Sequence, residues 1–457
     1  MSFPRYPEYK DSGVEWLGAV PRHWRVMRIK HLLKSLEQGW SPQCEAIPVD
    51  SPDEWGVLKV GCVNGGVFNA AENKALPPEL EPIPDLGIRA ADLLISRANT
   101  RELVGSAAVA LIDHSNLMLC DKLFRLRFDA SVCSPHFIAS YLSTGKVRGQ
   151  IELAASGASS SMLNIGQSTI LEMAVALPDS TEQVAICDFL RRETTKIDKL
   201  MAEQEKLIAL LKEKRQAVIA HAVTKGLDPT VPMKDSGVEW LGEVPAHWTT
   251  CALSYRYEIA LGKMLDEKRV TGEHLAPYLR NVDVQWGHIN IESLPEMDFK
   301  GDDLSRYSLR TGDLLVCEGG EVGRAAIWRG GLQECYYQKA LHRLRPRSTK
   351  DSTEFLYYVF HTAANLGLFA GSEGRSTIAH LTAETLRRYR FAFPPQPEQA
   401  SIANRLNKIA SSFERLIQEA ETAISLLKER RTALISAAVT GQIDVRGLVK
   451  DEQEQAA

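Results

Sequence analysis

Two long segments of the chain carry apolar residues at the spacing of an amphipathic helix. The sequences PDSTEQ (178–183) and PPQPEQ (394–399) are helix-start signals, and Asp179 or Ser180 can cap the first helix. After these signals the first segment contains no proline up to about Val223, and the second contains none up to about Val439. The apolar positions are Leu190, Ile197, Leu200, Leu207, Leu211 and Val218 in the first segment, and Ile402, Leu406, Ile409, Phe413, Leu416, Ala420, Ala423, Leu427 and Leu434 in the second.

This spacing of three and four predicts one apolar stripe along each helix, which is typical of a coiled-coil seam. Roughly 40 residues at about 1.5 Å each give a helix on the order of 60 Å long. Since neither helix can bury its stripe alone, we expect the two to pair antiparallel. The pair holds two parts of the molecule together, sets the distance between them, or does both, and the sequence leaves these alternatives open.

The segments before each helix alternate short apolar runs with turn residues. Strands are predicted at 57–63, 93–96, 107–112 and 122–128, and again at 277–284, 314–317 and 324–328. Helical patterns occupy 135–145 and 354–364. We therefore expect each segment to form a mixed α/β domain, of the α+β type, with a curved sheet.

The chain is a tandem duplication. Residues 10–24 (KDSGVEWLGAVPRHW) and 234–248 (KDSGVEWLGEVPAHW) differ at two of fifteen positions. Further matches follow along both copies at offsets that drift from 224 through 221 and 218 to 216, down to the segment Leu-Leu-Lys-Glu at 210–213 and 426–429. The ends of each copy agree closely while the interiors have diverged. This favours two similar bodies related by a pseudo-two-fold axis, with interiors that recognise different things.

Composition changes this picture little. Hydrophobic residues make up 44% and charged residues 25% of the 457 residues, as in ordinary globular proteins. With neither a signal peptide nor an apolar run long enough to span a membrane, a cytoplasmic protein is expected. The net charge of −4 neither indicates nor excludes nucleic-acid binding, because a large protein can concentrate its cations on one face. The eight cysteines include no CxxC pair, so no zinc site is predicted.

Catalytic and cofactor-binding motifs are missing from the sequence. It contains no GxxxxGK[ST] phosphate loop, no GxGxxG after a strand, no HExxH and no GxSxG. The aminomethylase tetrad of Asn/Asp-Pro-Pro-aromatic is also absent. We therefore predict that the chain is not an enzyme and that it holds no cofactor and no metal itself.

These features together resemble a known family. The two KDSGVEWLGxVPxHW segments and the two endings LP/FP-xxxEQ…LLKE[KR]R…AVT are similar to those of Type I restriction–modification specificity subunits, over about residues 6–445. The resemblance implies two target-recognition domains, separated by the pair of antiparallel helices, that read the two parts of a bipartite and asymmetric double-stranded DNA target. It also implies two modification (adenine methyltransferase) subunits and restriction (translocase/endonuclease) subunits as partners, which would bring S-adenosylmethionine, ATP and Mg.

The resemblance suggests these domain bounds: a first recognition domain at 1–178, a spacer helix at 179–226, a second recognition domain at 227–394 and a second spacer helix at 395–441. The chain end departs from the family, and its acidic residues 451–455 predict a flexible acidic tail at 442–457. On the helices, the segments Leu210, Leu211, Lys212 and Leu426, Leu427, Lys428 are the expected docking surfaces for two identical partners.

Candidate DNA contacts lie in loops that differ between the copies. Arg97, Asn99 and Arg101 follow the strand at 93–96, and Glu318, Glu321 and Arg324 stand in the matching stretch. Arginine can bind guanine, asparagine can bind adenine and glutamate can accept from cytosine, although a solvated turn explains the same residues.

Three further groups are candidates for the same role. The small polar runs at 156–161, with Ser159 and Ser160, and at 371–377, with Arg375, Ser376 and Thr377, resemble the glycine–serine loop of the family. Lys59 and Arg280 occupy matched positions suited to a phosphate contact. The tryptophans Trp16, Trp24, Trp240 and Trp248 are instead expected to pack, because a residue that reads sequence should differ between the copies.

Two other function classes stay open at this point. A coiled-coil scaffold whose domains bind protein would share the helices and the duplication. A nucleic-acid enzyme with an unrecognised motif is a third alternative. A gel shift with and without a co-purified methyltransferase subunit separates the three hypotheses.

Overall fold

A computed structural model describes residues 3–49, 51, 53–159, 162–264, 271–369 and 380–448. The chain divides into two compact units, of which the first comprises 1–204 and 422–457 and the second 205–421. Both divisions fall inside a long helix, so that each unit contains one part of each long helix. The mixed α/β fold class predicted from the sequence is confirmed.

The first unit is built on small sheets and three short helices that precede the first long helix. Its strands are β1 (Tyr9–Asp11), β2 (Ala19–Pro21), β3 (Arg25–Arg28), β4 (Leu33–Gln38), β5 (Gly56–Leu58), β6 (Asn73–Ala75), β7 (Gly87–Ile88), β8 (Leu93–Ser96), β9 (Ala98–Asn99), β10 (Ala107–Val109), β11 (His114–Met118), β12 (Leu123–Phe128), β13 (Ser156–Ser159), β14 (Met162–Asn164) and β15 (Ala174–Leu177). Its helices are α1 (Pro135–Leu142), α2 (Gly145–Ala154), α3 (Gln167–Leu171) and the start of α4 (Ser180–Lys225).

The second unit repeats this architecture. Its strands are β16 (Met233–Asp235), β17 (Glu243–Pro245), β18 (Thr249–Ala252), β19 (Tyr257–Leu261), β20 (Leu275–Leu279), β21 (Val284–Gln285), β22 (His288–Ile289), β23 (Glu296–Asp298), β24 (Leu314–Cys317), β25 (Ala325–Ile327), β26 (Tyr336–Tyr337), β27 (Leu341–Pro346) and β28 (Arg390–Phe393). Its helices are α5 (Leu253–Arg256), α6 (Asp303–Arg306), α7 (Thr353–Asn365), α8 (Ala383–Arg388) and the start of α9 (Gln396–Val439).

The strand order shows that the duplication extends to topology. The antiparallel sheet β10-β8-β12-β4 has its counterpart in β25-β24-β27-β19. The pairs β1–β2 and β3–β15 correspond to β16–β17 and β18–β28. Even the parallel pairing of β5 with β11 recurs between β20 and β26. Residues of the two copies can therefore be compared position by position.

Three predicted strands are clearly shorter than expected, and one of them is the run 107–112, in which β10 ends at Val109. The runs 57–63 and 277–284 were predicted as continuous strands, but β5 ends at Leu58 and β20 at Leu279. A 3-10 turn follows in each copy, at 60–66 and 281–283. The matched glycines Gly66 and Gly287 both have positive φ, 78° and 69°, which explains why glycine stands at this position in both copies.

The two long helices pack together antiparallel, as predicted. In the first unit, Arg431 on α9 contacts Asp198 on α4 at 3.0 Å. In the second unit, Arg215 on α4 contacts Glu414 on α9 at 3.0 Å. These two ion pairs occupy matched positions of the repeat, so the contact between the helices is itself duplicated.

The predicted apolar seam needs correction. Ile197, Leu406 and Leu434 are buried as expected. Leu200, Leu207 and Leu416 were assigned to the seam but are 42–47% exposed. A strict spacing of three and four places the apolar stripe on Leu416, but the buried residue is its neighbour Ile417. The buried helix residues are concentrated where each helix packs on an α/β body.

A carboxylate, buried in the first unit and partly exposed in the second, joins the duplicated entry motif to the start of each long helix. In the first unit, Glu182 accepts hydrogen bonds from Tyr6 Oη at 2.6 Å and Trp24 Nε1 at 3.2 Å, and pairs with His23 Nε2 at 2.7 Å. Trp24 is fully buried. Glu182 also lies in the first turn of α4, where a negative charge is favourable. The histidine and tryptophan that end the entry motif therefore serve to fix the helix.

The second unit repeats this connection, which we call the Glu–Trp joint. Glu398 accepts from Trp248 Nε1 at 3.1 Å and pairs with His247 Nε2 at 2.7 Å. Trp16 and Trp240 are half-buried against the cores of their units. The four tryptophans thus pack, in agreement with the packing role expected from their duplication.

The glutamine next to each of these glutamates forms a second connection. Gln183 Oε1 accepts from Ser134 N at 2.7 Å, just before α1, and its amide donates to Pro178 O at 3.0 Å. Gln399 makes the matched bonds to Ser352 N at 2.8 Å and to Pro394 O at 2.9 Å. The Glu-Gln pair of the sequence thus holds each long helix to its domain.

Residues just after α9 are packed, contrary to the prediction of a flexible tail from 442 onward. Ile443 and Val445 are buried in the core of the first unit, and Asp444 N donates to Pro4 O at 2.8 Å. The apolar side chains at 443 and 445 give this segment a surface to bury. The prediction of a flexible tail followed from the acidic residues further along the chain, which do not include this segment. The acidic residues 451–455 lie outside the described part of the chain.

Within the described ranges, no helix combines the length and the apolar character needed to cross a bilayer.

Candidate nucleic-acid interface

Ion pairs, each with one buried side chain, hold the central sheet of each unit. Arg125 on β12, whose side chain is fully buried, contacts Glu37 on β4 and donates to Gly87 O at 2.8 Å. Arg127 binds Asp92 at 2.6 Å. Because both arginines are already bound inside the sheet, they form part of its framework.

The second unit keeps this framework at the matched positions. Arg343 on β27 pairs with Glu258 on β19 at 2.8 Å. Arg345 pairs with Asp313 at 2.7 Å. Four charged residues are therefore retained in both copies, and they support the same strands, β8 and β24, from which the candidate loops leave.

Arg97 is held at the end of β8 by backbone bonds on both of its sides. Its amide donates to Lys122 O at 2.8 Å, and its carbonyl accepts from Ile165 N at 3.0 Å. The guanidinium makes a single long bond, from Nη1 to Asp121 O at 3.3 Å. The backbone of Arg97 is thus fixed while most of its donors remain available.

Glu318 is held by the same backbone bonds at the end of β24. Its amide donates to Ala340 O at 3.0 Å, and its carbonyl accepts from Leu381 N at 2.8 Å. Burial raises the pKa of its carboxyl, although the positive charges of His380 and Lys339 oppose this. Arg97 and Glu318 therefore occupy equivalent positions in the two copies, and their side chains differ in the sign of their charge.

The structure brings Asn99 and the polar run at 156–161 together. Asn99 lies on β9, which pairs with β14 through Leu163, and β14 pairs with β13. The run was predicted as a loop, but residues 156–159, including the backbone of Ser159, form strand β13 of a hairpin. Ser160 lies outside the described residues. Asn99 also donates to Asn64 Oδ1 at 3.4 Å.

Asn64 was not selected from the sequence. It lies in the turn at 60–66, which follows the matched pair Lys59 and Arg280, and it is exposed. The glycine that both copies carry at this place, Gly66 and Gly287, was the feature of the sequence that marks the turn. Arg101 is also exposed, two residues beyond Asn99, so that one surface of the first unit carries Arg97, Asn99 and Arg101 beside the hairpin.

Lys59 and Arg280 differ in their surroundings although they are matched. The Lys59 amide donates to Glu72 O at 2.8 Å, and its half-buried side chain has no partner among the described residues. Arg280 forks onto Asp283 at 2.8 and 3.0 Å, and this hydrogen bond raises the pKa of Arg280. A phosphate at Arg280 would have to share the guanidinium with Asp283.

Arg324 faces inward. Its side chain is 13% exposed, and Nη2 donates to Asn281 O at 3.0 Å and Asn281 Oδ1 at 2.9 Å. Nη1 lies 3.5 Å from Glu321, which in turn accepts from Trp286. These contacts brace the turn after Arg280. Arg375, Ser376 and Thr377, the remaining candidates of the second copy, lie outside the described residues.

The helix segments selected for partner docking present matched surfaces. Leu210 and Leu426 are 51% and 59% exposed. Leu211 and Leu427 are half-buried beneath them, and Lys212 and Lys428 are exposed. Leu200 and Leu416, the exposed leucines that the seam prediction misplaced, form a second matched pair. Of these matched leucines, the first unit carries Leu200 and Leu426 and the second carries Leu210 and Leu416, one from each long helix.

One protein-family model matches part of the chain. It is described as the Type I restriction modification DNA specificity domain, and it matches residues 267–424.

Two curated relatives carry names from the same systems. The specificity subunit of the Type I restriction enzyme EcoEI of Escherichia coli is 30% identical over 167 residues, which is 36% of this chain but 28% of that protein. The specificity subunit of EcoKI from Escherichia coli strain K12 is 21% identical over 445 residues, which is 93% of this chain and 90% of that protein.

Solved structures share the fold of almost the whole chain. A structure described as the basis of complex assembly and conformational transition of the type I R-M system superposes with a TM-score of 0.69, at 16% identity over 92% of this chain and 98% of that one. The HsdS subunit from Thermoanaerobacter tengcongensis gives a TM-score of 0.56, at 17% identity over 93% and 98% of the two chains.

The two curated relatives are named as specificity subunits, and these names agree with the prediction made from the sequence. The resemblance inferred from the sequence is likewise confirmed: the chain has the sequence features and the fold of the specificity subunits of Type I restriction–modification systems.

Proposed function

We propose that this chain recognises a bipartite and asymmetric DNA target, with each α/β body reading one part. The observation that carries the proposal is the matched pair Arg97 and Glu318. The same two backbone hydrogen bonds hold both residues at the end of equivalent strands. Framework residues around them are retained in both copies, so the opposite charges at this position reflect a difference in what is bound.

Base chemistry supports this assignment. An arginine can donate two hydrogen bonds to the major-groove edge of guanine, and a carboxylate can accept from the amino group of cytosine. Two different readers on one chain suit a target without two-fold symmetry, whereas a symmetric dimer reads a palindrome. Asn99, Arg101 and Ser159 would complete the first reader, with Ser160 beside them in sequence.

Phosphate contacts would position these readers on the duplex. Lys59, with no partner among the described residues, suits this role better than Arg280, which is bound to Asp283. Arg324 would act by bracing its turn, because its Nη2 donates to Asn281. Arg375, Ser376 and Thr377 stay predictions of DNA contact in the second unit.

Partner subunits would supply the chemistry. We propose that two modification subunits dock on the matched leucine surfaces at Leu210–Lys212 and Leu426–Lys428, and that restriction subunits join them. S-adenosylmethionine, ATP and Mg belong to those partners. Two recognition domains at 1–178 and 227–394 with spacer helices between them, and a cytoplasmic location, stay predictions within the same proposal.

Methylation patterns in cells test the proposal. The chain is expressed with its modification subunit as wild type, Arg97→Ala, Glu318→Ala and the control Arg22→Ala, and methylated adenines are mapped by sequencing. Arg22 is exposed and pairs with Glu8, and it is not among the candidate DNA contacts. We expect Arg97→Ala to relax one part of the motif and Glu318→Ala the other, each by about 1–3 kcal/mol of discrimination at one base pair.

The outcomes separate the hypotheses. An unchanged motif in both variants, with normal methylation, would refute the assignment of these two positions. Absence of any methylation or gel shift by the wild-type complex would refute DNA recognition and favour a scaffold that binds protein alone.

A further inference from the structure

A wide groove in the first unit has a much smaller equivalent in the second. The first groove has a volume of about 1080 Å³ and lies between the turn at 65–68, helix α1 and the two long helices. In the second unit a cavity of about 180 Å³ is lined by Gly287, Ile327, Arg329, Glu354, Tyr357, Tyr358 and Asn407. All seven positions match residues that line the first groove: Gly66, Val109, Leu111, His136, Ala139, Ser140 and Arg191.

Aromatic side chains account for the difference. In the second unit Tyr357 and His361 on α7 stand where α1 and the residue after it carry Ala139 and Ser143. Trp286, in the turn before Gly287, lies 5.1 Å from the His361 ring and 6.3 Å from the Tyr357 ring. The three rings form one cluster that occupies the space left open in the first unit.

The cluster also shows what chemistry the site accepts. Burial and the neighbouring charge of Arg215 lower the pKa of His361 to about 4, so its ring is neutral and packs like the other two. The indole N–H of Trp286 donates to Glu321. In the first unit Glu102, close to the matched position, lines the groove and can accept from an indole or a phenol in the same way.

The first groove exposes apolar surface that the second does not. Leu111 is 72% exposed, where the second copy has Arg329, and Val67 and Ile112 are 68% and 63% exposed. Contiguous apolar surface of this kind marks a binding site on a protein, and aromatic anchors in a pocket contribute most of the energy at interfaces.

From these observations we infer that the groove of the first unit is a docking site for a segment of a partner protein that inserts tryptophan and tyrosine side chains, as the second unit inserts its own Trp286 and Tyr357. The wide groove belongs to the first unit, whereas the second unit fills the matched space with its own side chains. The inference therefore goes beyond the two matched partner surfaces of the proposed function, and it distinguishes one copy of the duplicated chain from the other.

Short peptides test the inference on the full chain. The probe is acetyl-Ser-Trp-Gly-Tyr-Ser-amide, and its matched control replaces tryptophan and tyrosine with leucine. Binding is measured by titration calorimetry and by ligand-detected NMR. We expect one site per chain, with a dissociation constant on the order of 1 mM or tighter, and binding of the leucine peptide weaker by about ten-fold.

Two variants locate the site. Ala139→Tyr with Ser143→His gives the first unit two of the three ring side chains of the second, and should weaken peptide binding by at least about ten-fold. Leu153→Tyr adds an aromatic residue at an exposed position on α2 outside the groove and should leave binding unchanged. Thermal unfolding of both variants verifies that the chain is folded.

Several results would overturn the inference. They are the absence of aromatic-peptide binding by the wild type at millimolar concentration, equal binding of the leucine peptide, and undiminished binding by the folded Ala139→Tyr/Ser143→His variant. Displacement of the peptide by duplex DNA would assign the groove to nucleic acid instead. None of these readouts depends on methylation, so their failure is distinguishable from failure of the proposed DNA recognition.

Discussion

The Glu–Trp joint allows a prediction with a magnitude, because its two copies differ in burial. The Glu182 side chain is 3% exposed and has three partners, Tyr6, His23 and Trp24. The Glu398 side chain is 29% exposed and has two partners, His247 and Trp248. Alanine at either position removes the acceptor and leaves an indole N–H without its bond.

Glu182→Ala should therefore destabilise its unit more than Glu398→Ala. A buried donor left without a partner costs about 1–3 kcal/mol, and bonds to a charged group lie at the upper end of this range. Losing acceptors for the Tyr6 hydroxyl and the Trp24 indole together predicts about 3–5 kcal/mol for Glu182→Ala. Water can reach the more exposed Glu398 site, which reduces the expected cost there to about 1–3 kcal/mol.

Calorimetric unfolding is the appropriate assay, since a chain with two units need not unfold in one step. Tyr6→Phe removes a single hydrogen bond and should cost about 1 kcal/mol. In the double variant with Glu182→Ala it should cost nothing further, because the two residues share that bond. Equal losses for Glu182→Ala and Glu398→Ala, or additive losses for Tyr6→Phe and Glu182→Ala, would refute this account of the joint.

Three further predictions concern the helices and the frame. Leu210→Asp and Leu426→Asp should each reduce the complex from two modification subunits to one, and the double variant should bind none. Native mass spectrometry can count the bound subunits. Two subunits on either single variant would contradict the assignment of these leucines to the docking surfaces. Deleting 203–209 together with 419–425 leaves the Asp198–Arg431 and Arg215–Glu414 pairs in place. It should shorten the gap between the two parts of the target by about three base pairs, from about 10 Å of helix, and an unchanged gap in mapped methylation would exclude a ruler. Arg125→Ala removes the donor of Glu37 Oε2 and of the Asp85 and Gly87 carbonyls and should cost about 2–4 kcal/mol in denaturant unfolding, against less than about 1 kcal/mol for the exposed control Arg415→Ala.

Local and repeated signals were the parts of the fold that the sequence could predict. Strands such as Leu93–Ser96 and Leu314–Cys317 have the predicted bounds, because continuous apolar runs between turn residues admit few alternatives. The tryptophans were assigned correctly because an identical residue in two diverged copies indicates a shared framework. The antiparallel helix pair followed from two unpartnered stripes.

Features that depend on tertiary contact could not be predicted in this way. The exposure of Leu200 and Leu416 depends on where each helix leaves its α/β body, which spacing alone does not contain. The polar run at 156–159 forms a strand because Ala98–Asn99 offers an edge through β14, and its own residues carry no β signal. The cluster of Trp286, Tyr357 and His361 joins residues about 70 positions apart, so no local pattern could show it.

The Glu–Trp joint also bears on how such a gene can change. Apart from Tyr6 in the first unit, the residues of the joint lie in the entry motif and in the Glu-Gln pair that opens each long helix, at both ends of the diverged interior. The two entry motifs are nearly identical, so an interior exchanged between two such motifs would arrive already fitted to its helix. What one unit binds could then change in a single genetic event while the framework of the molecule stays folded as before.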